Sequence, residues 1–271
     1  MSRALRNVPA DFDPSVVAAI DERLDEVEQV HGVRILLAIE SGSRAWGFPS
    51  PDSDYDCRFL YVRSVEQYLS PWTRRDVIET PLDPVLDVNG WDVGKAIKLV
   101  LKGNAVAIEW LQSTITYRGD AAFRDALLGF ATRHADRPAV ARHYLHLGAR
   151  QLRTYFADGK EVALKKVFYA LRPAVSLRWL RLHGSEALAP MHFPALVAQS
   201  GVPDEIGAIV QDLLIRKAQT NELGKAPLPA PIRKFIEAEF LMAADAFPAR
   251  SEPRSQSDVE AAESLFRRFL S

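Results

Sequence analysis

The segment GSRAWGFPSPDSDYD, residues 42–56, ends on two acids spaced two apart, Asp54 and Asp56. In an extended strand that spacing puts both carboxylates on one face. Carboxylates so close repel unless a cation lies between them. Mg²⁺ suits that place, because it takes oxygen ligands and shares its shell with substrate phosphates. Gly42 lets the backbone turn tightly and lets a phosphate approach. Ser43 offers phosphate oxygens a hydroxyl and a backbone N–H. The chemistry this grouping serves is phosphoryl or nucleotidyl transfer. Each half alone has a plainer meaning: Gly-Ser is a turn, and Asp-x-Asp marks many solvated strand ends. Their combination after an apolar run is the specific feature.

A third carboxylate would complete the set. Asp87, in Leu-Asp-Val, is the first choice; Asp76 and Asp92 compete with it, and Glu79 is a minor contender. Asp92 has a full alternative role as a helix N-cap. Glu40 either supports the site or marks the wet end of a strand. Arg44 and Arg58 lie beside the acids, and Arg58 is placed to meet either a carboxylate or substrate. Lys95, Lys98 and Lys102 form one helical stripe, which is a solvated face or a contact for triphosphate or an RNA backbone. Lys165, Tyr169 and Arg172 also share a helical face. Tyr169 could stack a base there while Lys165 and Arg172 hold phosphate. The stretch from Arg124 to Arg178 is rich in Arg and Lys, so basic charge is concentrated locally in a chain of net charge -1. His143 and His146 lack a third ligand nearby, which favours packing over metal binding. Trp46 and Phe48 either pack down the loop between the two motif halves or cover a base.

These residues need elements to position them. Apolar periodicity predicts a helix over 15–30 and strands over 33–39 and 56–62. Shorter strands are expected at 76–79 and 86–88, with Asn89-Gly90 as a turn. Helices follow at 93–102 and 105–111. After Tyr117 the pattern is helical throughout: 120–133, 138–157, 161–182, 203–221 and 230–246, with no strand expected. Pro173 should start, end or kink its helix. Residues 251–258 read as a loop before a last short helix at 265–270. Cys57 points to the core, and one cysteine excludes an internal disulfide. No run reaches the length of a membrane span, and the first residues lack the apolar segment of a signal peptide. A soluble, cytoplasmic chain is expected.

Gly42-Ser43, ten residues, then Asp54-Tyr55-Asp56 resembles the signature of the DNA polymerase beta-type nucleotidyltransferases. The segments AIESGSRAWGFPSPDSDYDCRFLYV, LDVNGWDVGKAIKL, EWLQS and KKVFYALRP extend the likeness. They resemble a predicted nucleotidyltransferase family associated with RNA repair genes. The resemblance implies an α+β chain: a catalytic domain at 1–118, with a mixed or antiparallel sheet and flanking helices, then an all-helical nucleotide- or acceptor-binding domain at 119–271. It implies Mg²⁺- or Mn²⁺-dependent transfer of a nucleoside monophosphate from an NTP to a hydroxyl, with release of pyrophosphate. Asp54, Asp56 and Asp87 would hold metal. Gly42, Ser43, Arg44, Lys95, Lys165, Tyr169 and Arg172 would contact the nucleotide. An RNA end, a small molecule or a protein side chain would be the acceptor. A non-catalytic nucleotide sensor or RNA-binding module is the competing class.

Overall fold

The computed structural model describes residues 4–81, 83–156, 161–220, 224–249 and 254–270. The chain starts with strand β1 (Ala4–Asn7) and helix α1 (Pro14–His31). Asp13 caps α1 by accepting the Ser15 N–H, and Gly32, at φ +59°, ends it. Ile20, Leu24 and Val27 form the buried stripe of α1. Then come β2 (Val33–Glu40), the single-turn α2 (Gly42–Ala45), β3 (Tyr55–Arg63), α3 (Val65–Tyr68), β4 (Val77–Glu79) and β5 (Leu86–Asp92). Helices α4 (Val93–Leu101) and α5 (Ala105–Gln112) lead to β6 (Thr116–Asp120).

The strands form one mixed sheet in the order β1-β6-β2-β3-β5-β4. Strands β2 and β3 are antiparallel, while β3 and β5 are parallel. Alternation along β3 decides what faces where. Tyr55, Cys57, Phe59 and Tyr61 join Ile20, Leu24 and Val27 of α1 in one core cluster. Asp56 and Arg58 therefore lie on the opposite face, whose continuation, Leu60 and Val62, packs under the later helices. In β5, Leu86 and Val88 belong to the α1 side. Asp87 and Asn89 thus share the face of Asp56.

Helices fill the rest: α6 (Ala121–His134), α7 (Arg137–Phe156), α8 (Val167–Leu182), α9 (Phe193–Gln199), α10 (Asp204–Gln219), α11 (Ala230–Ala246) and α12 (Gln256–Arg268). Nearly every side chain of α8 is buried, which makes it the central rod against which α7, α9 and α11 pack. One apolar cluster runs without a break from Leu37 and Leu60 of the sheet through α8 to Phe240 of α11. A mixed sheet with flanking helices is thus followed by a helical region.

Several local expectations change. Strand β6 runs on to Asp120, and β7 (Val162–Ala163) pairs with β8 (Lys225–Ala226), so strands do occur after Tyr117. At two residues each, β7 and β8 are too short to carry an alternating signal. The helix expected from residue 161 begins at Val167, after β7 and a 3₁₀ turn at Leu164–Lys166. Pro173 lies inside α8. The last helix starts at Gln256, because Ser255 caps it by accepting the Asp258 N–H. Ala157, Asn221 and residues 251–253, assigned above to two helix ends and a loop, lie outside the described residues. Gly42-Ser43 opens α2 rather than a simple turn.

Asn89-Gly90 is not a turn but the middle of β5. The Phe59 ring crosses β5 at this point. A Cβ on Gly90 would come within 2.0 Å of it. Gly90→Ala should therefore overpack a closed site and lower the unfolding free energy by about 1–3 kcal/mol. Urea unfolding of the two proteins measures this; an unchanged midpoint would mean that the ring has room to move.

Candidate active site

The two halves of the motif meet at Gly42 and Asp56. Gly42 adopts φ +62°, and a Cβ there would sit 1.9 Å from Asp56 Oδ2. Backbone freedom and clearance both require glycine at this position. The Ser41 N–H donates to the Asp56 carbonyl at 2.8 Å. Beneath them, Glu40 is fully buried. Its carboxylate accepts the Asp56 N–H at 2.9 Å and the Tyr117 hydroxyl at 2.5 Å. Burial pushes the Glu40 pKa up to about 8. Glu40 is a support for the base of the site, the first of its two readings.

Asp87 lies directly beside Asp56, as its register partner on the parallel strand. Arg58 fills the gap between them. One of its terminal nitrogens donates to Asp56 Oδ1 at 3.0 Å and to Asp87 Oδ2 at 2.6 Å; the other reaches the Asp87 carbonyl at 2.7 Å. Asn89 donates to Asp87 Oδ1. Burial raises the Asp56 pKa, Arg58 opposes that, and Asp54 and Asp87 add to it. Asp54 is exposed, just before β3. No protein donor within the described residues meets its carboxylate or Asp56 Oδ2. These are hard oxygen donors, and they suit Mg²⁺ or Mn²⁺. Among the described residues no group of three or more His, Cys, Asp or Glu is arranged to hold a metal. Both Asp87 oxygens accept from neighbouring side chains, Arg58 and Asn89.

The loop between the halves is packed down. Arg44 donates to the backbone carbonyls of Ser53 (2.6 Å) and Asp54 (3.1 Å) and lies over the Tyr55 ring at 3.9 Å. The Ser43 hydroxyl meets Ser53 Oγ at 2.9 Å. Phe48 stacks on Phe168 at 4.7 Å, and Trp46 lies edge-on to Tyr169.

Tyr169 is half-buried on α8, near enough to the acids that their charges act on it: burial raises its pKa first, and Asp54 and Asp56 raise it further. Lys165 is exposed in the 3₁₀ turn before α8. Arg172 corrects the expectation of a phosphate contact. It is buried, and it forms a two-point ion pair with Glu109 at 2.7 and 3.0 Å while lying over the Trp46 ring. Tyr144 donates to the same carboxylate at 2.8 Å.

The other candidates lie elsewhere. Asp92 pairs in register with Tyr61 and caps α4 by accepting the Gly94 N–H. Asp76 pairs with Lys95 at 2.9 Å. Five strand positions separate both from the acid pair, so Lys95 is not brought to it. His143 accepts the Ala105 N–H, which fits packing rather than metal binding.

Sequence reasoning missed Glu109, Glu239 and Lys217. Glu109 is an isolated acid in an apolar helix, a signal that a buried cation must answer it. Glu239 similarly collects Arg178 and Arg181 at 2.8 and 2.6 Å. Lys217 of α10 is buried, with its ammonium 3.4 Å from Ser50 Oγ. Burial lowers its pKa to about 8, against the pull of Asp52 and Asp54. A long-range contact of this kind leaves no local pattern.

A family model described as RlaP, RNA repair pathway DNA polymerase beta family, matches residues 16–268. The uncharacterized protein YcgL of Bacillus subtilis (strain 168) is 41% identical over 221 residues, covering 82% of this chain and 84% of its own. A nucleotidyltransferase-like protein from Exiguobacterium sibiricum, solved by crystallography, aligns over 92% of this chain and 78% of its own, with 14% identity and a TM-score of 0.30.

The Glu109–Arg172 pair gives a direct test of its structural role. Arg172→Ala leaves a buried carboxylate without its cation, which should cost about 3–5 kcal/mol. Lys165→Ala, on the exposed turn, should change stability by less than about 0.5 kcal/mol. Denaturant unfolding compares the two, and equal midpoints would overturn the assignment of Arg172 to the core.

Proposed function

The chain belongs to the RNA repair pathway DNA polymerase beta family, and from that premise we propose that it transfers a nucleoside monophosphate from an NTP to a hydroxyl, an RNA end, releasing pyrophosphate. The observation that carries this reading is the placement of Asp87 beside Asp56, whose carboxylate lies against Gly42. Asp54 precedes β3 by one residue, near enough for its charge to act on Asp56, and the ring of Tyr169 is half-buried nearby.

In this reading Asp54 and Asp56 would hold Mg²⁺ or Mn²⁺. When bound, the ion supplies charge neutralisation on the phosphates and polarises the α-phosphorus toward attack. Ser43 and the loop it fastens line the phosphate side. Lys165 and Lys217 bring positive charge to the same loop from the helical region, and Tyr169 offers its ring to the base. Arg58 holds Asp56 and Asp87 at a fixed separation. Asp87 accepts the proton of the acceptor hydroxyl as its oxygen bonds to the α-phosphorus. The bond from that phosphorus to the bridging oxygen breaks, and its electrons leave with pyrophosphate. Arg44 shapes the loop rather than gripping substrate. The single thiol, Cys57, is buried and free, which suits a cytoplasmic setting.

Transfer of label from each α-labelled NTP to a mixed pool of RNA, protein and small metabolites tests the proposal. Label should enter RNA and vanish on chelation, returning with Mg²⁺ or Mn²⁺. The Asp54→Ala/Asp56→Ala protein should transfer none. Asp87→Asn should be slower by about 10²–10⁴-fold, the range for loss of a positioned base. Undiminished transfer by the double variant would sink the proposal, and label found only in protein or small molecules would replace the acceptor.

A further inference from the structure

At the far end of the same strands lies a cavity of about 940 Å³. It opens between the end of β3, the loop at 69–76, α4 and α12. Asp92 lines it, five register positions from Asp87, so it sits about 16 Å along the sheet from the acid pair. Its wall carries Arg63, Arg74, Arg75, Lys95, Lys98 and Arg254, against Asp76, Asp92 and Glu263. Three of these cations are committed. Lys95 pairs with Asp76 and Arg75 with Glu79, and Arg63 donates to the Arg75 carbonyl. Arg74, Lys98 and Arg254 are exposed, and their side chains have no ion pair or hydrogen bond among the described residues.

Trp72 stands at the rim, 81% exposed, with Leu69 near it in sequence at 78%. It is the one exposed Phe, Tyr or Trp among the described residues. An open indole beside unpaired guanidinium groups offers a π-face for an unpaired base and donors for its phosphate. A duplex keeps its bases stacked internally, so this surface fits a single strand.

We propose that this groove seats single-stranded RNA, with a base stacked on Trp72 and backbone phosphates on Arg74, Lys98 and Arg254. The strand's role as acceptor rests on the reading above, whereas its binding here does not. The groove would hold the body of an RNA whose end reaches the acids.

Fluorescence anisotropy of a short labelled single-stranded RNA, without NTP or metal, separates the two. Trp72→Ala should weaken binding about ten-fold or more, and Trp72→Phe should restore most of it. The Arg74→Ala/Lys98→Ala/Arg254→Ala protein should bind more weakly and lower the log–log salt slope by about 2. Asp54→Ala/Asp56→Ala should bind as the unaltered chain does. All four are changes at exposed positions or in the acid pair, and thermal unfolding checks that each remains folded. Unchanged affinity and slope in both groove variants would overturn the inference. So would binding of free ATP or AMP in the groove with no binding of RNA. Absence of label transfer by the unaltered chain, with RNA still bound in the groove, would count against the catalytic reading alone.

Discussion

Two carboxylates on neighbouring strands need a positive charge between them, and here Arg58 supplies it. Much of the site follows from that. The parallel pairing of β3 and β5 fixes Asp56 opposite Asp87, and alternation along β3 sets Arg58 on the same face, two residues on. Gly42 then has to be bare, because the Asp56 carboxylate occupies the space a side chain would take. Glu40 completes the arrangement from below by holding the Asp56 N–H. The acids are thus positioned by backbone register more than by loop conformation, which is a stiffer way to hold them.

The helical region repeats the same solution at greater depth. Glu109 and Glu239 are buried acids, and each is answered by arginine from α8: Arg172 for the first, Arg178 and Arg181 for the second. Glu109 lies on α5, beside the sheet, so its pair with Arg172 ties the two regions together. Arg172 also lies over Trp46, in the loop between the motif halves. Through this contact the central helix presses on the segment that carries Ser43 and Arg44. The cost of desolvating these charges is recovered only if the geometry is held.

Much of this was legible beforehand. The run of apolar residues in β2 and the alternation in β3 gave the sheet its centre, and Asp-x-Asp after a buried strand located the acids. Asp87 ranked ahead of Asp92 and Asp76 without excluding them, since Asp92's place before a helix offered it another role, and the structure gives Asp92 that cap. What stayed hidden depended on partners far apart in the chain. Arg172 shares its helical face with Lys165 and Tyr169, yet one of the three turns inward, because Glu109 waits there. Asn89-Gly90 has the composition of a turn, but Gly90 is small to admit Phe59 rather than to bend the chain. Strand β1 was invisible for a related reason: it is four residues long, at a sheet edge, and mostly exposed.

Helix α12 packs on α4 and α6, with Phe269 against Phe123 and Phe266 against Tyr68. Arg34 of β2 donates to the Phe269 carbonyl at 2.9 Å. The segment 256–270 thus closes a face built by residues more than a hundred positions earlier. During synthesis, the sheet and its first helices leave the ribosome with that face bare. They must remain so until the whole helical region has followed, a long exposure of the kind that invites chaperone capture. The groove around Trp72 inherits the same delay, since α12 is one of its walls: a nascent chain has the acid pair's strands well before it has that groove.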